Sequence, residues 1–343
     1  MSHPVPTAAE LNDVAEITLR IRASISTVLS GLDPAITATL ATVLAEGHLL
    51  MEDVPGVGKT TLARALARSI DGSVGRIQFT PDLLPSDVTG VSIFRADDHR
   101  FEFRPGPIFA NVVIADEINR ASPKTQSALL ESMQERSVTV DGNTRALPSP
   151  FIVVATQNPV EMEGTYPLPE AQRDRFMAQV SVGYPSPRDE MAMLASHDGM
   201  NPLAAVVPVA TTADLEVAIG IARRIYAAPA IKQYIVDLVT ATRQESGLRL
   251  GASPRAALQL LAASKARAAM AARNHVLPDD VKALAVSVLS HRLIPSTESR
   301  LAGRTAQQIM RETLARTAVP TEARDAPAPR ERAVEHAPVA PTT

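Results

Sequence analysis

The sequence predicts an α/β protein, with a parallel sheet flanked by helices and then a smaller, all-helical domain. Three observations carry that reading. First, the runs H-L-L-M-E (48–52), V-V-I-A (112–115) and F-I-V-V-A-T (151–156) are short and apolar without alternation. Strands of that kind are covered on both faces, as in a parallel sheet. Second, each run ends in polar residues: a glycine-rich loop, Asp116-Glu117 and Gln157-Asn158. The carboxyl ends of parallel strands are where ligands sit in such folds. Third, the texture changes near residue 186. All seven phenylalanines lie between Phe79 and Phe176, and helical periodicity dominates beyond them.

The elements follow in order. Residues 10–30 and 34–46 carry helical patterns, the second opened by Asp33-Pro34. The strand 48–52 runs into the glycine loop, and T-L-A-R-A-L-A-R-S (61–69) continues as a helix. Two hairpins are expected, V-S-I-F…F-E-F (91–103) and S-V-T-V-D-G-N-T-R-A (137–146). Asp141-Gly142 supplies a strong turn signal for the second. Further on, Ile231, Ile235, Leu238 and Val239 share one helical face, as do Val281, Leu284, Val288 and Leu289. Ser253-Pro254 reads as an N-cap and first-turn proline opening the stretch 254–272. Tyr226, Tyr234 and the methionines of this half are expected in its core. The division is 1–185 for the core, 186–316 for the helical domain and 317–343 for a disordered tail. That tail contains five prolines and little apolar bulk.

Composition narrows the function. The chain has 343 residues, 45% apolar and 21% charged, with net charge −3 and no cysteine. A disulfide framework and a thiolate zinc site are excluded. No basic stripe marks a nucleic-acid surface. The amino terminus lacks the features of a signal peptide and no apolar stretch reaches membrane-spanning length, so a cytoplasmic protein is expected. The histidines form no H-x-x-x-H or H-E-x-x-H pattern for a metal.

Residues 52–61 read E-D-V-P-G-V-G-K-T-T. Strand, glycine loop and helix are the context that G-x-x-x-x-G-K-[ST] requires. Asp53 replaces the first glycine of that pattern. The position opens the turn without pressing on the phosphates, and aspartate tolerates turn conformations. Backbone N–H groups from Gly56 to Thr60 can wrap a phosphate at the start of the next helix. The expected cradle is Asp53, Val54, Pro55, Gly56, Val57, Gly58, Lys59, Thr60 and Thr61. Lys59 reaches the outer phosphates, and the Thr60 hydroxyl holds Mg2+. Asp116, at a strand tip, suits Mg2+ binding, and Glu117 suits positioning an attacking water.

The stretch Asp116 to Glu135, D-E-I-N-R-A-S-P-K-T-Q-S-A-L-L-E-S-M-Q-E, resembles the Walker B region of MoxR-type AAA+ ATPases. So do R-I-Q-F-T-P-D-L-L-P-S-D (76–87), F-R-P-G-P-I-F-A-N (103–111), A-T-Q-N-P (155–159), E-G-T-Y-P-L-P-E-A-Q-R-D-R-F (163–176) and G-A-S-P-R-A (251–256). The resemblance spans roughly residues 10 to 315. It makes Asp53 a family variant, since such loops often begin E-D-V-P-G.

The resemblance implies an AAA+ P-loop core with a helical lid. ATP and Mg2+ are the implied cofactors, and a homo-oligomeric ring, a hexamer, the implied assembly. Asn158 would be sensor 1, and Arg255 sensor 2, reaching the nucleotide from the subunit's own lid. Arg175, in D-R-F, would be the arginine finger offered to a neighbour. Arg173 stands where leucine is expected, so two arginines compete, and the D-R-F setting favours Arg175. The hairpins would line a central pore. The implied activity is ATP hydrolysis that remodels or matures a protein client, with von Willebrand A domain proteins as the implied class. A nucleic-acid motor and a nucleotide-loaded scaffold without turnover are the alternatives. Net charge opposes the first, and the set Lys59, Asp116, Glu117 and Asn158 opposes the second.

Overall fold

The computed structural model describes residues 4–29, 31–52, 58–97, 99–157, 166, 168–183, 187, 191 and 202–320. The tail expected to be disordered lies outside the described residues from 321 onward.

Helix α1 (Ala8–Ser26) starts at a capping box. Thr7 Oγ1 accepts from the Glu10 N–H at 3.2 Å, and the Glu10 carboxylate accepts from the Thr7 N–H at 2.7 Å. Helix α2 (Asp33–Leu44) follows, then strand β1 (Leu49–Glu52) and helix α3 (Lys59–Ser69). The remainder of the first half holds β2 (Val74–Gln78), α4 (Pro85–Thr89), β3 (Gly90–Arg95), β4 (Arg100–Pro105), β5 (Val112–Asp116) and α5 (Pro123–Glu135). It continues with β6 (Ser137–Val140), β7 (Asn143–Ala146), β8 (Ile152–Gln157), α6 (Glu170–Arg173) and β9 (Ala178–Val180).

Five strands form one parallel sheet in the order β2-β5-β8-β1-β9. The three apolar runs are its central strands. Alternate residues go to opposite faces: Leu49, Met51, Val112, Ile114, Ile152 and Val154 to one core, Leu50, Val113, Ala115, Val153 and Ala155 to the other. That is why the runs do not alternate. The sequence reading missed both edge strands. β2 alternates exposed and buried residues, and β9 has only three residues. Both hairpins are present. Asp141 and Gly142 have φ of 52° and 76°, the two positive values a tight two-residue turn demands.

The second half contains α7 (Thr212–Arg223), α8 (Pro229–Gln244), β10 (Leu248–Leu250), α9 (Pro254–Met270), α10 (Pro278–Leu289), β11 (Ile294–Pro295), α11 (Thr297–Leu301) and α12 (Ala306–Arg316). It is helical as expected, with one small addition, an antiparallel pairing of β10 with β11. Tyr234 and Met310 are buried, but Tyr226 and Met191 are exposed, which corrects the expectation that all would be core. Helices α1 and α2 pack against α7 and α9, so the amino-terminal helices share an apolar core with the lid. That packing decides where the lid presents its first turn.

Candidate active site

The carboxyl edge of the sheet gathers the expected phosphate chemistry. Gly58, at φ 96°, has a backbone that favours glycine, and it delivers Lys59 and Thr60 as the first residues of α3. The Lys59 ammonium donates to the Gln157 carbonyl at 3.4 Å, and Thr60 Oγ1 donates to Asp116 Oδ1 at 3.4 Å. Strands β1, β5 and β8 are neighbours in register, so their tips converge at this place. Residues 53–57 and Asn158, all expected here, lie outside the described residues.

Glu117 stands one residue beyond β5 at φ 56°, ψ 49°. A glutamate in that left-handed region costs on the order of 1–3 kcal/mol and persists only when its surroundings impose it. They do. The Glu117 N–H donates to Thr156 Oγ1 at 3.0 Å, and its carbonyl accepts from the Arg120 N–H at 2.9 Å. The carboxylate accepts from Gln78 Nε2 at 3.2 Å and Arg120 Nη1 at 2.8 Å. Asp116, nearly buried, accepts from Arg76 Nε at 2.9 Å. Sequence reasoning missed Arg76, Gln78, Arg120 and Thr156. Arg76 and Gln78 alternate on β2 as the polar members of R-I-Q, which was legible only once β2 was placed.

The donors Thr60 Oγ1 and Asp116 Oδ1 are hard oxygens, the type Mg2+ takes. Among the described residues no group of three or more His, Cys, Asp or Glu could hold a metal. A site with two protein ligands fits Mg2+, which is commonly completed by water and substrate phosphates.

Arg175, expected to serve a neighbouring subunit, and Arg255, expected at its own subunit's nucleotide, are found together and apart from Lys59. Arg175 and Arg255 together line a cavity of about 170 Å³ with Glu46, Gly47, His48, Met133, Gln134, Arg136, Met177 and Gln259. Gly47 and His48 immediately precede β1, and Met177 immediately precedes β9. The cavity therefore lies at the amino edge of the sheet, separated from Lys59 by the length of β1, roughly 13 Å for four residues. Arg255 was expected to reach the nucleotide of its own subunit. Instead, the packing of α9 on α1 and α2 brings its first turn to the opposite edge. Arg173 differs from Arg175: its Nε is buried with no hydrogen-bond partner among the described residues, and it does not line this cavity.

The cavity wall is stiff. His48 donates from Nε2 to the Met133 carbonyl at 3.1 Å, and its Nδ1 accepts from the Val153 N–H at 3.0 Å. Burial pushes the ring's pKa down to about 4. Glu46 pairs with both Arg136 and Arg223. Gly251, at the start of G-A-S-P-R-A, lets two backbones meet: a Cβ there would lie 2.7 Å from the Arg243 backbone. Ser253 caps α9 by accepting from the Ala256 N–H at 3.2 Å, which fixes the turn carrying Arg255.

Comparison with known proteins identifies the two domains. Residues 48–178 match the model of the ATPase family associated with various cellular activities (AAA), and residues 240–313 match the AAA lid domain. The chain is 50% identical over 298 residues to the uncharacterized protein YeaC of Bacillus subtilis, covering 87% of this chain and 93% of that one. It is 42% identical over 304 residues to the chaperone MoxR1 of Mycobacterium tuberculosis, covering 85% and 80%. A solved structure from Cytophaga hutchinsonii superposes with a TM-score of 0.83 at 38% identity, over 90% of this chain and 96% of that chain. The chain belongs to the MoxR family of AAA ATPases.

Proposed function

We propose that the protein hydrolyses ATP with Mg2+ in a homo-oligomeric, hexameric ring, with each active site divided between two neighbouring chains. The observation that carries this reading is the separation of charges. Lys59, Thr60, Asp116 and Glu117 converge on one edge of the sheet, while Arg175 and Arg255 are gathered at the other. Two cations placed so far from their own phosphate loop suit a neighbour's nucleotide, whose transition state carries charge on the transferred phosphoryl oxygens. Arg175 is the finger in this reading and not Arg173, because Arg175 opens on the cavity it shares with Arg255.

Within one chain, residues 53–61 cradle the phosphates and Lys59 meets the outer ones. Thr60 and Asp116 would hold Mg2+, which would neutralise phosphate charge when bound. Glu117 orients the water and receives its proton, with its backbone held by Thr156. Gln78 and Arg120 set the carboxylate's direction. Asn158, the asparagine of A-T-Q-N-P, would sense the γ-phosphate, as the family resemblance suggests.

The product of this cycle is mechanical, the remodelling or maturation of a cytoplasmic protein client. A relative that bears the name chaperone supports this. So does the β3–β4 hairpin, where Phe94 and Phe101 pack on each other at 5.3 Å and remain exposed. Such a tip suits contact with an apolar protein segment in the ring's pore. A protein carrying a von Willebrand A domain is the partner class that the family resemblance suggests.

The test is complementation. Glu117→Gln and Arg175→Ala are each expected to hydrolyse ATP poorly. Mixed and reassembled, they should regain activity, because some interfaces pair an intact Glu117 with an intact Arg175. If every site drew both residues from one chain, mixing would restore nothing and the divided site would be rejected.

A further inference from the structure

Arg292 lies in a 3₁₀ turn, Ser290–Arg292, at the end of α10, far along the chain from both cavity arginines. Its side chain is almost wholly buried, and burial lowers its pKa while Asp174 raises it. Nε donates to Asp174 Oδ1 at 2.7 Å. Nη2 donates to the Asp174 carbonyl at 3.3 Å and the Phe176 carbonyl at 2.6 Å, and Nη1 donates to the Met177 carbonyl at 3.3 Å. These acceptors flank Arg175 on both sides. The same guanidinium also donates to Gln259 Oε1, on the helix that carries Arg255. From the other direction, Ser253 Oγ donates to both Asp174 oxygens, at 3.0 and 3.2 Å. Ser253 is the cap of that same helix, two residues before Arg255. His291 adds one more tie, from Nε2 to the Phe176 carbonyl at 3.1 Å.

A buried arginine is costly unless its donors are satisfied. Here the planar fork donates to the Asp174 carboxylate, to the backbone carbonyls of Asp174, Phe176 and Met177 in the core segment, and, in the lid, to the Val288 carbonyl and the Gln259 side chain. A packing role alone would not require a charge that bridges the residues before and after Arg175 to the start of the Arg255 helix. We propose that Arg292 is a positioning residue: with Asp174 and Ser253 it locks the Arg175 segment to the first turn of α9, so that Arg175 and Arg255 reach the neighbour's nucleotide as one rigid pair. The lock touches no nucleotide itself. It rests on the divided-site reading and adds that the two cations cannot be moved independently while it holds.

The chain contains no cysteine, so labels can be placed cleanly. Ala171 and Leu258 are exposed, one beside the Arg175 segment and one on α9. With Ala171→Cys and Leu258→Cys, spin labels on the full chain should give a single narrow distance distribution, and Arg292→Lys should broaden it. Arg292→Lys should also lower kcat on the order of 10²-fold, the effect of displacing a positioned group by about 1 Å. Affinity for mant-ATP should stay within about twofold, since Lys59 belongs to the same chain's intact loop. Mixing Arg292→Lys with Glu117→Gln should restore turnover, as mixing with Arg175→Ala does. Ser253→Ala should show the same pattern more weakly, a loss of about threefold to tenfold, because it removes one hydroxyl and leaves Arg292 in place. It carries the test if Arg292→Lys does not fold. An unchanged distribution and kcat in the variant that folds would overturn the lock. So would a loss that Glu117→Gln cannot complement while it complements Arg175→Ala. If Arg175→Ala is not complemented either, the divided site itself fails and the lock fails with it.

Discussion

His48 turns the wall of the arginine cavity into a pH-dependent element of stability. Its ring is buried and neutral, with Nε2 donating to the Met133 carbonyl and Nδ1 accepting from the Val153 N–H. Protonation at Nδ1 would break the second bond and place a charge beside Arg136. Burial is the largest cause of the depressed pKa, about 4 against 6.5 in an unfolded chain. Between those values the unfolded chain binds the proton and the folded chain does not, so stability falls as pH falls. The full contribution is present above pH 6.5 and is lost progressively toward pH 4. At pH 5 the unfolded ring is protonated while the folded ring is mostly neutral, a loss of about 2 kcal/mol relative to pH 7.5. His291, pushed down by burial and by Arg292, adds to the loss in the same direction. Urea unfolding at pH 7.5 and pH 5 should therefore show a smaller pH-dependent loss for His48→Gln than for the wild type, by about 2 kcal/mol. Equal losses in the two proteins would refute the assignment of a buried neutral ring.

Other perturbations report on the site itself. Glu117→Gln should lower phosphate release by about 10²–10⁴-fold while keeping ATP bound. Its melting temperature should barely move, since the lost pair with Arg120 is partly exposed. Turnover above a tenth of wild type would contradict Glu117 as the base. Lys59→Ala should lose most nucleotide binding by titration calorimetry, whereas Asp53→Gly should stay within about tenfold of wild type. Equal losses would mean that Asp53 meets nucleotide or Mg2+. Gly251→Ala forces a Cβ to 2.7 Å from the Arg243 backbone, which must shift. It should cost about 1–3 kcal/mol in thermal unfolding and lower turnover, with mant-ATP affinity unchanged. Unchanged stability would show that the loop has room to relax.

The central strands were legible because covered strands are apolar on both sides, and their polar tips named the chemistry. The edge strands β2 and β9 were not: the buried positions of β2 are Gly75 and Ile77 while Val74 is exposed, so no apolar alternation marks it, and β9 has only three residues. For the same reason Arg76 and Gln78, which hold Asp116 and Glu117, could not be found before β2 was placed. Arg175 and Arg255 were readable as motif residues, but their shared cavity was not. That proximity goes with the packing of α1 and α2 against α9, a contact across more than two hundred residues that no local pattern records. Arg292 was invisible for the same reason: its acceptors in the Arg175 segment, the Asp174 carboxylate and the carbonyls of Asp174, Phe176 and Met177, are more than a hundred residues away.

A site divided between chains makes turnover depend on assembly, and dilution of the wild-type protein separates the two. Phosphate release per chain should be measured at saturating Mg-ATP across concentrations that span ring and monomer, with light scattering reporting the assembly and mant-ATP reporting occupancy. Each chain should keep its nucleotide on dilution but lose turnover as its neighbours leave. Turnover per chain that stays constant down to demonstrably monomeric protein would contradict the divided site.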